Sequence, residues 1–87
     1  MTNDEIRDQV LRVLGDIAPE VDLSLIRPDR NLRDQLDIDS MDWLSFMIAL
    51  DQELHVAIPE SDYRKLATLD GCVAYLGARL QTSVPHA

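Results

Sequence analysis

Apolar residues in this chain recur every three or four positions and show no alternating run, a pattern that restricts it to packing helices on helices. Ile6, Val10, Val13, Leu14 and Ile17 form one such stripe, and Leu69, Cys72, Val73, Leu76 and Leu80 form another. Thr2 and Glu5 have the spacing of a capping box, which predicts a first helix over 3–17, closed by Ala18-Pro19. Asp39 is a good N-cap for a central helix over 40–54, and Asp42 adds negative charge to its first turn, where the helix dipole favours it. His55 to Pro59 reads as a connector with Ile58 as its apolar plug, followed by a short helix over 60–66 that presents Tyr63 and Leu66 inward. Thr68 then caps a last helix over 69–81. Between the first two helices lies a long loop, punctuated by Pro19 and Pro28 and anchored by Leu23, Leu25, Ile26, Leu32 and Leu36. Asn31 is placed to cap a single turn carrying Leu32 and Leu36. Ordered loops of about 20 residues are uncommon in small domains and tend to be functional. The expectation is an all-α bundle of three longer helices and one short one. It forms a single domain over 1–87, folded from about 3 to 81, with 82–87 as a frayed tail.

Composition removes several function classes. With 87 residues there is room for one modest core, and Cys72, the single cysteine, allows neither an internal disulfide nor a cysteine-based zinc site. The longest near-apolar stretch, Trp43 to Leu50, is eight residues and far too short to span a bilayer. The segment Met1 to Glu5 has neither the basic nor the apolar region of a signal peptide, so a cytoplasmic protein is expected. The net charge is −8, and it is sorted. From Asp34 to Tyr63 there is no Lys or Arg, and Asp34, Asp37, Asp39, Asp42, Asp51, Glu53, Glu60 and Asp62 supply eight negatives. The remaining eight acids are balanced by all eight bases. Such a chain repels nucleic acid and anionic lipid and is drawn to basic protein surfaces.

The central helix has two apolar faces. At about 100° per residue, Trp43, Phe46, Met47, Leu50 and Leu54 fall in one broad arc that suits a core. Met41, Leu44 and Ile48 fall in a second, separated from the first by Ser40 and Asp51. Either the long loop covers the second arc or it is an exposed docking patch, an apolar centre with a charged rim.

Catalysis finds few footholds. Ser40 is the obvious nucleophile, but the only histidines are His55 and His86, and His55 lies about 22 Å from Ser40 along a helix axis. Asp37-Ile38-Asp39 suggests a calcium loop, yet Met41, Asp42 and Ile48 then occupy the third-ligand, glycine and final-glutamate positions. No metal site and no glycine-rich phosphate loop is legible. Cys72 sits on an apolar stripe and reads as core. The residues describe a chain that is not an enzyme, with one serine at an acidic helix start.

That serine carries a resemblance. Asp39-Ser40-Met41-Asp42, with Leu32 and Leu36 upstream and Leu44 and Phe46-Met47-Ile48-Ala49-Leu50 downstream, resembles the attachment site of an acyl carrier protein. The likeness continues through Ile58-Pro59, Leu66-Ala67-Thr68-Leu69 and Val73-Ala74-Tyr75-Leu76, in the family's order and spacing. It implies a four-helix carrier bundle whose serine, here Ser40, receives 4′-phosphopantetheine from coenzyme A through a separate magnesium-dependent phosphopantetheinyl transferase. The arm's thiol then holds acyl groups as thioesters for enzymes of fatty-acid, polyketide or related metabolism. Partners implied are the transferase and acyl ligases or synthases with basic docking patches, and the carrier is expected to be a monomer. By the same resemblance Asp39, Met41, Asp42, Leu44 and Ile48 are docking residues. An acyl pocket lies among Phe46, Met47, Leu50, Ile58, Tyr63 and Leu66, with Trp43 either at its mouth or packed on Leu32 and Leu36.

The sequence departs from the common pattern at three positions. Met41 replaces the usual leucine after the serine and keeps its volume and apolarity. Ile38 stands where small residues are frequent, which hints at a specialised partner. Trp43 stands where fatty-acid carriers usually have a small polar residue. The glycine-rich lead-in of peptidyl carriers is absent, which favours acyl over aminoacyl cargo. The competing readings are an aminoacyl or peptidyl carrier and an acidic helical docking domain that is never modified.

Overall fold

The computed structural model describes residues 2–82. Four α-helices follow one another: α1 (Asn3–Ile17), α2 (Leu32–Leu36), α3 (Ser40–Leu54) and α4 (Leu69–Thr82), with 3₁₀ segments at Leu23–Leu25 and Glu60–Leu66. The described residues contain no strand, and an isolated bridge joins Asn31 to Thr68. The capping box closes as its spacing requires: the Thr2 hydroxyl accepts the Glu5 N–H at 3.2 Å, and the Glu5 carboxylate accepts the Thr2 N–H at 2.9 Å. The short helix expected over 60–66 is present but wound as 3₁₀, whose rise of about 2 Å per residue covers more length than an α-turn does. Of the tail expected over 82–87, Thr82 is the last residue of α4 and the others lie outside the described residues.

The core is assembled from the predicted stripes. Ile6, Val10, Val13 and Leu14 of α1 are buried against α3 and α4, and Trp43, Phe46, Met47, Leu50 and Leu54 are the buried face of α3. Leu66, Leu69, Cys72, Val73 and Leu76 complete it. Burying side chains of this size contributes about 1.5–3 kcal/mol each, the main favourable contribution to a domain this small.

Two helix ends share one device. Asp37 and His55 adopt left-handed backbone, with φ of 52° and 54°. The N–H of the next residue then bonds back across the last turn, Ile38 to the Arg33 carbonyl and Val56 to the Asp51 carbonyl, both at 3.2 Å. Ile38 and Val56 are the apolar plugs that follow, 7% and 5% exposed. Ile38 therefore serves the core, which explains a bulky residue before Asp39 without invoking a partner.

The long loop is tied to the far end of the bundle. The Gln35 side chain accepts the Arg27 N–H at 2.7 Å and donates to the carbonyls of Arg27 and Arg30 at 2.9 and 3.0 Å. Leu32 donates its N–H to the Ala67 carbonyl at 2.8 Å, and Asp70 donates to the Pro28 carbonyl at 3.0 Å. The last two bonds seat the loop on Ala67, just past the 3₁₀ segment, and on the first turn of α4. The outer arc of α3 is left uncovered.

Candidate functional site

Ser40 is the first residue of α3 and is exposed. Asp39 ahead of it is the N-cap: its carboxylate accepts the Asp42 N–H at 2.8 Å, and its carbonyl accepts the Trp43 N–H at 2.9 Å. The N–H groups of Ser40 and Met41 belong to the first turn and have no acceptor inside the helix, so they face the space next to the Ser40 hydroxyl. That combination suits an anion attached at Ser40. It does not make Ser40 a catalytic nucleophile. α3 is unbroken from Ser40 to Leu54, and His55 caps its opposite end, so the separation of about 22 Å stands.

The second arc of α3 is exposed. Met41, Leu44 and Ile48 are 78%, 46% and 45% exposed and, with Leu25 of the loop, are the large exposed hydrophobics of the described residues. They run down α3 from Ser40, with exposed Asp42 among them. The acidic run around this arc divides by role. Asp39 caps α3, Asp51 accepts the Ile58 N–H at 3.2 Å, and Asp62 accepts the Tyr75 hydroxyl at 2.7 Å. Asp34, Asp37, Asp42, Glu53 and Glu60 are exposed. Part of the charge sorting is therefore structural, because three carboxylates start a helix, hold a connector and anchor the 3₁₀ segment.

Asp62 is the most engaged of these. It also meets Arg79 at 3.1 Å and Lys65 at 3.3 Å, and Arg79 lies over the Tyr75 ring at 5.0 Å. The hydrogen bond from Tyr75, helped by Lys65 and Arg79, holds the Asp62 carboxyl below the usual aspartate range. Burial, reinforced by the Asp62 carboxylate, pushes the Tyr75 hydroxyl up. Cys72 is fully buried with its thiol 3.2 Å from the Leu66 carbonyl, and burial pushes its pKa up to about 12. It is an inert core thiol.

The residues expected to form an acyl pocket separate into two sets. Phe46, Met47, Leu50 and Leu66 are 0% exposed and Ile58 is 7% exposed, all packed in the core. Trp43 and Tyr63 instead line an open cavity of about 430 Å³ between α3 and the 3₁₀ segment. Trp43 is 8% exposed, with its ring 5.4 Å from that of Phe46 at 57°, so it is a core residue with one edge on the cavity. Asn31, Arg33, Glu60 and Arg64 reach the same cavity, and none of them is among the residues expected to line a pocket. A signal was present: Arg33 and Arg64 are the residues that bound the base-free run at its two ends.

Comparison with known proteins decides the family. Residues 4–76 match the family model described as the phosphopantetheine attachment site. The chain belongs to this family. An acyl carrier protein of Chlorobium luteolum is 32% identical over 76 residues, covering 87% of this chain and 96% of that protein. One from Lactobacillus acidophilus is 30% identical, covering 87% and 94%. The solved structure of the acyl carrier protein from Enterococcus faecalis superposes with a TM-score of 0.76 at 23% identity, covering 91% of this chain and 99% of that one, so the helical fold is shared. Members of the family are carriers rather than enzymes, and they hold 4′-phosphopantetheine covalently. Acyl carrier proteins work with transferases and synthases in general. Among the described residues, no helix of this carrier is long and apolar enough to cross a membrane.

Proposed function

We propose that Ser40 is the attachment residue and that the chain, as one cytoplasmic carrier domain, delivers acyl groups between enzymes. The observation that carries this is an exposed serine at the first turn of α3, beside an uncovered arc of Met41, Leu44 and Ile48. The Ser40 oxygen attacks the phosphorus of coenzyme A that bears the pantetheine arm, the diphosphate P–O bond breaks, and 3′,5′-ADP leaves. The transferase takes the serine proton, so this chain needs no base of its own. When bound, the group supplies a thiol that exchanges acyl groups as thioesters.

The chain's own residues position and present that arm. The Asp39 cap fixes the first turn, and the N–H groups of Ser40 and Met41 offset the phosphodiester charge. Asp42 opposes that benefit, which is why its place fits recognition by cationic partner surfaces. Met41, Leu44 and Ile48 form the apolar centre of the docking face and Asp39 and Asp42 its rim. Fatty-acid, polyketide and related thioester pathways all fit this surface.

The reading is tested by treating the protein with an acyl-coenzyme A and a broad-specificity transferase, then with neutral hydroxylamine. A carrier gains one acyl-arm mass and loses only the acyl part. A protein that gains no mass, or an adduct that resists hydroxylamine, contradicts the reading.

A further inference from the structure

The polar lining of the cavity beside Trp43 is mainly cationic, with Glu60 set against Arg33 and Arg64. Arg33 and Arg64 both line it, and neither forms an ion pair among the described residues although eight acids lie between them in sequence. Arg33 uses its Nε on the Ile38 carbonyl at 3.5 Å, which leaves its terminal nitrogens. Asn31 uses its side-chain oxygen on the Asp34 N–H at 3.1 Å, which leaves its NH₂. The spare groups are thus mainly donors, with Glu60 as the one carboxylate on the wall. Two guanidiniums and an amide are matched by a carboxylate, and the Trp43 and Tyr63 rings supply apolar walls for a short chain. The core behind them, Phe46, Met47, Leu50 and Leu66, is packed to 0% exposure.

Trp43 follows Ser40 by three residues, about 4.5 Å along the axis, so an arm at Ser40 need only fold back by one turn. We infer that this cavity shelters a short cargo ending in a carboxylate, held by Arg33 and Arg64 with its chain against Trp43 and Tyr63. The inference rests on Ser40 as the attachment residue, and its test separates the two.

Trp43 is the only tryptophan and lines the cavity, so tryptophan fluorescence comes from this one position, and far-UV circular dichroism confirms that each form is folded. Protein loaded with a glutaryl arm is compared with protein carrying a hexanoyl arm, each confirmed by intact mass. The glutaryl form should shield Trp43 from acrylamide more than the hexanoyl form, and added salt should remove the difference. Arg33→Gln and Arg64→Gln should each lower the docked-to-free ratio of the glutaryl arm by about two- to fivefold, the scale of exposed ion pairs, with Arg64→Lys retaining most of it. Equal shielding by the two arms, or a glutaryl preference that survives the double glutamine variant, overturns the inference. The cavity is also read without attachment, by adding glutaryl- or hexanoyl-pantetheine to Ser40→Ala protein. There a glutaryl preference supports the site, and its absence overturns the site whatever happens at Ser40.

Discussion

The carboxylate of Asp39 accepts the backbone N–H of Asp42 at 2.8 Å, so the residue before Ser40 starts the helix as well as contributing charge to its surface. The two roles separate by substitution. Asp39→Asn keeps a good cap and should hold stability within about 0.5 kcal/mol, whereas Asp39→Ala loses the cap and should cost about 1 kcal/mol. Both remove the charge, so both should slow productive encounter with the transferase, and the wild-type rate should fall as salt rises. Chemical denaturation and transferase kinetics across a salt series check this. Wild-type rates indifferent to salt contradict a docking role for the acids.

Trp43 is anchored as core. Truncation to Ala should cost about 3–5 kcal/mol, enough to unfold a marginal domain, because it empties the space beside Phe46. Trp43→Phe keeps most of the packing and should fold, with the cavity enlarged. Thermal melts of holo protein bearing short and long acyl chains then read the cavity. The Phe variant should tolerate longer chains better than wild type, and an unchanged dependence on chain length shows that the indole edge does not limit the cargo.

Gly71 is required by close approach. A Cβ built there would lie 2.5 Å from the backbone oxygen of Lys65 and 3.0 Å from the Thr68 hydroxyl, which accepts the Gly71 N–H. Gly→Ala inside a helix ordinarily gains up to about 1 kcal/mol. Here it should instead destabilise by about 1–3 kcal/mol, since the Lys65 carbonyl at the end of the 3₁₀ segment must shift away from α4. A urea midpoint raised by Gly71→Ala contradicts the packing described.

The Asp62 cluster makes part of the stability dependent on pH. Its folded-state pKa lies below the ordinary aspartate value, so its contribution is complete above that value and is lost as pH falls through the lowered one. Asp62→Asn should therefore lower Tm at neutral pH, and the gap to wild type should close as pH falls below the ordinary aspartate range. A gap that is constant with pH shows that the carboxylate's charge is not what holds Tyr75 and Arg79.

Helix starts were legible because side chains announce them: Thr2 with Glu5, Asn31, Asp39 and Thr68 each accept a first-turn N–H at the expected place. Both left-handed helix ends fell on Asp37 and His55, where glycine would have been the visible signal. The two arcs of α3 could be drawn on a wheel. Which one stayed open depended on Leu32 bonding to Ala67 and Pro28 to Asp70, contacts with no local signature. The cavity was only partly legible: Arg33 and Arg64 mark the ends of the base-free run, but nothing in the sequence brings them together. Arg33 and Arg64 are 31 residues apart in sequence and line one cavity only through the tertiary fold.

Attachment at Ser40 is the claim on which the functional account turns, and intact mass reads it directly. Wild-type protein, Ser40→Ala and Ser45→Ala are incubated with coenzyme A, magnesium and a broad-specificity phosphopantetheinyl transferase. The account predicts one phosphopantetheine mass on wild type and on Ser45→Ala, and none on Ser40→Ala, which should remain folded because an exposed first-turn hydroxyl is not core packing. Modified Ser40→Ala at wild-type yield, or wild type that gains no mass, would contradict it.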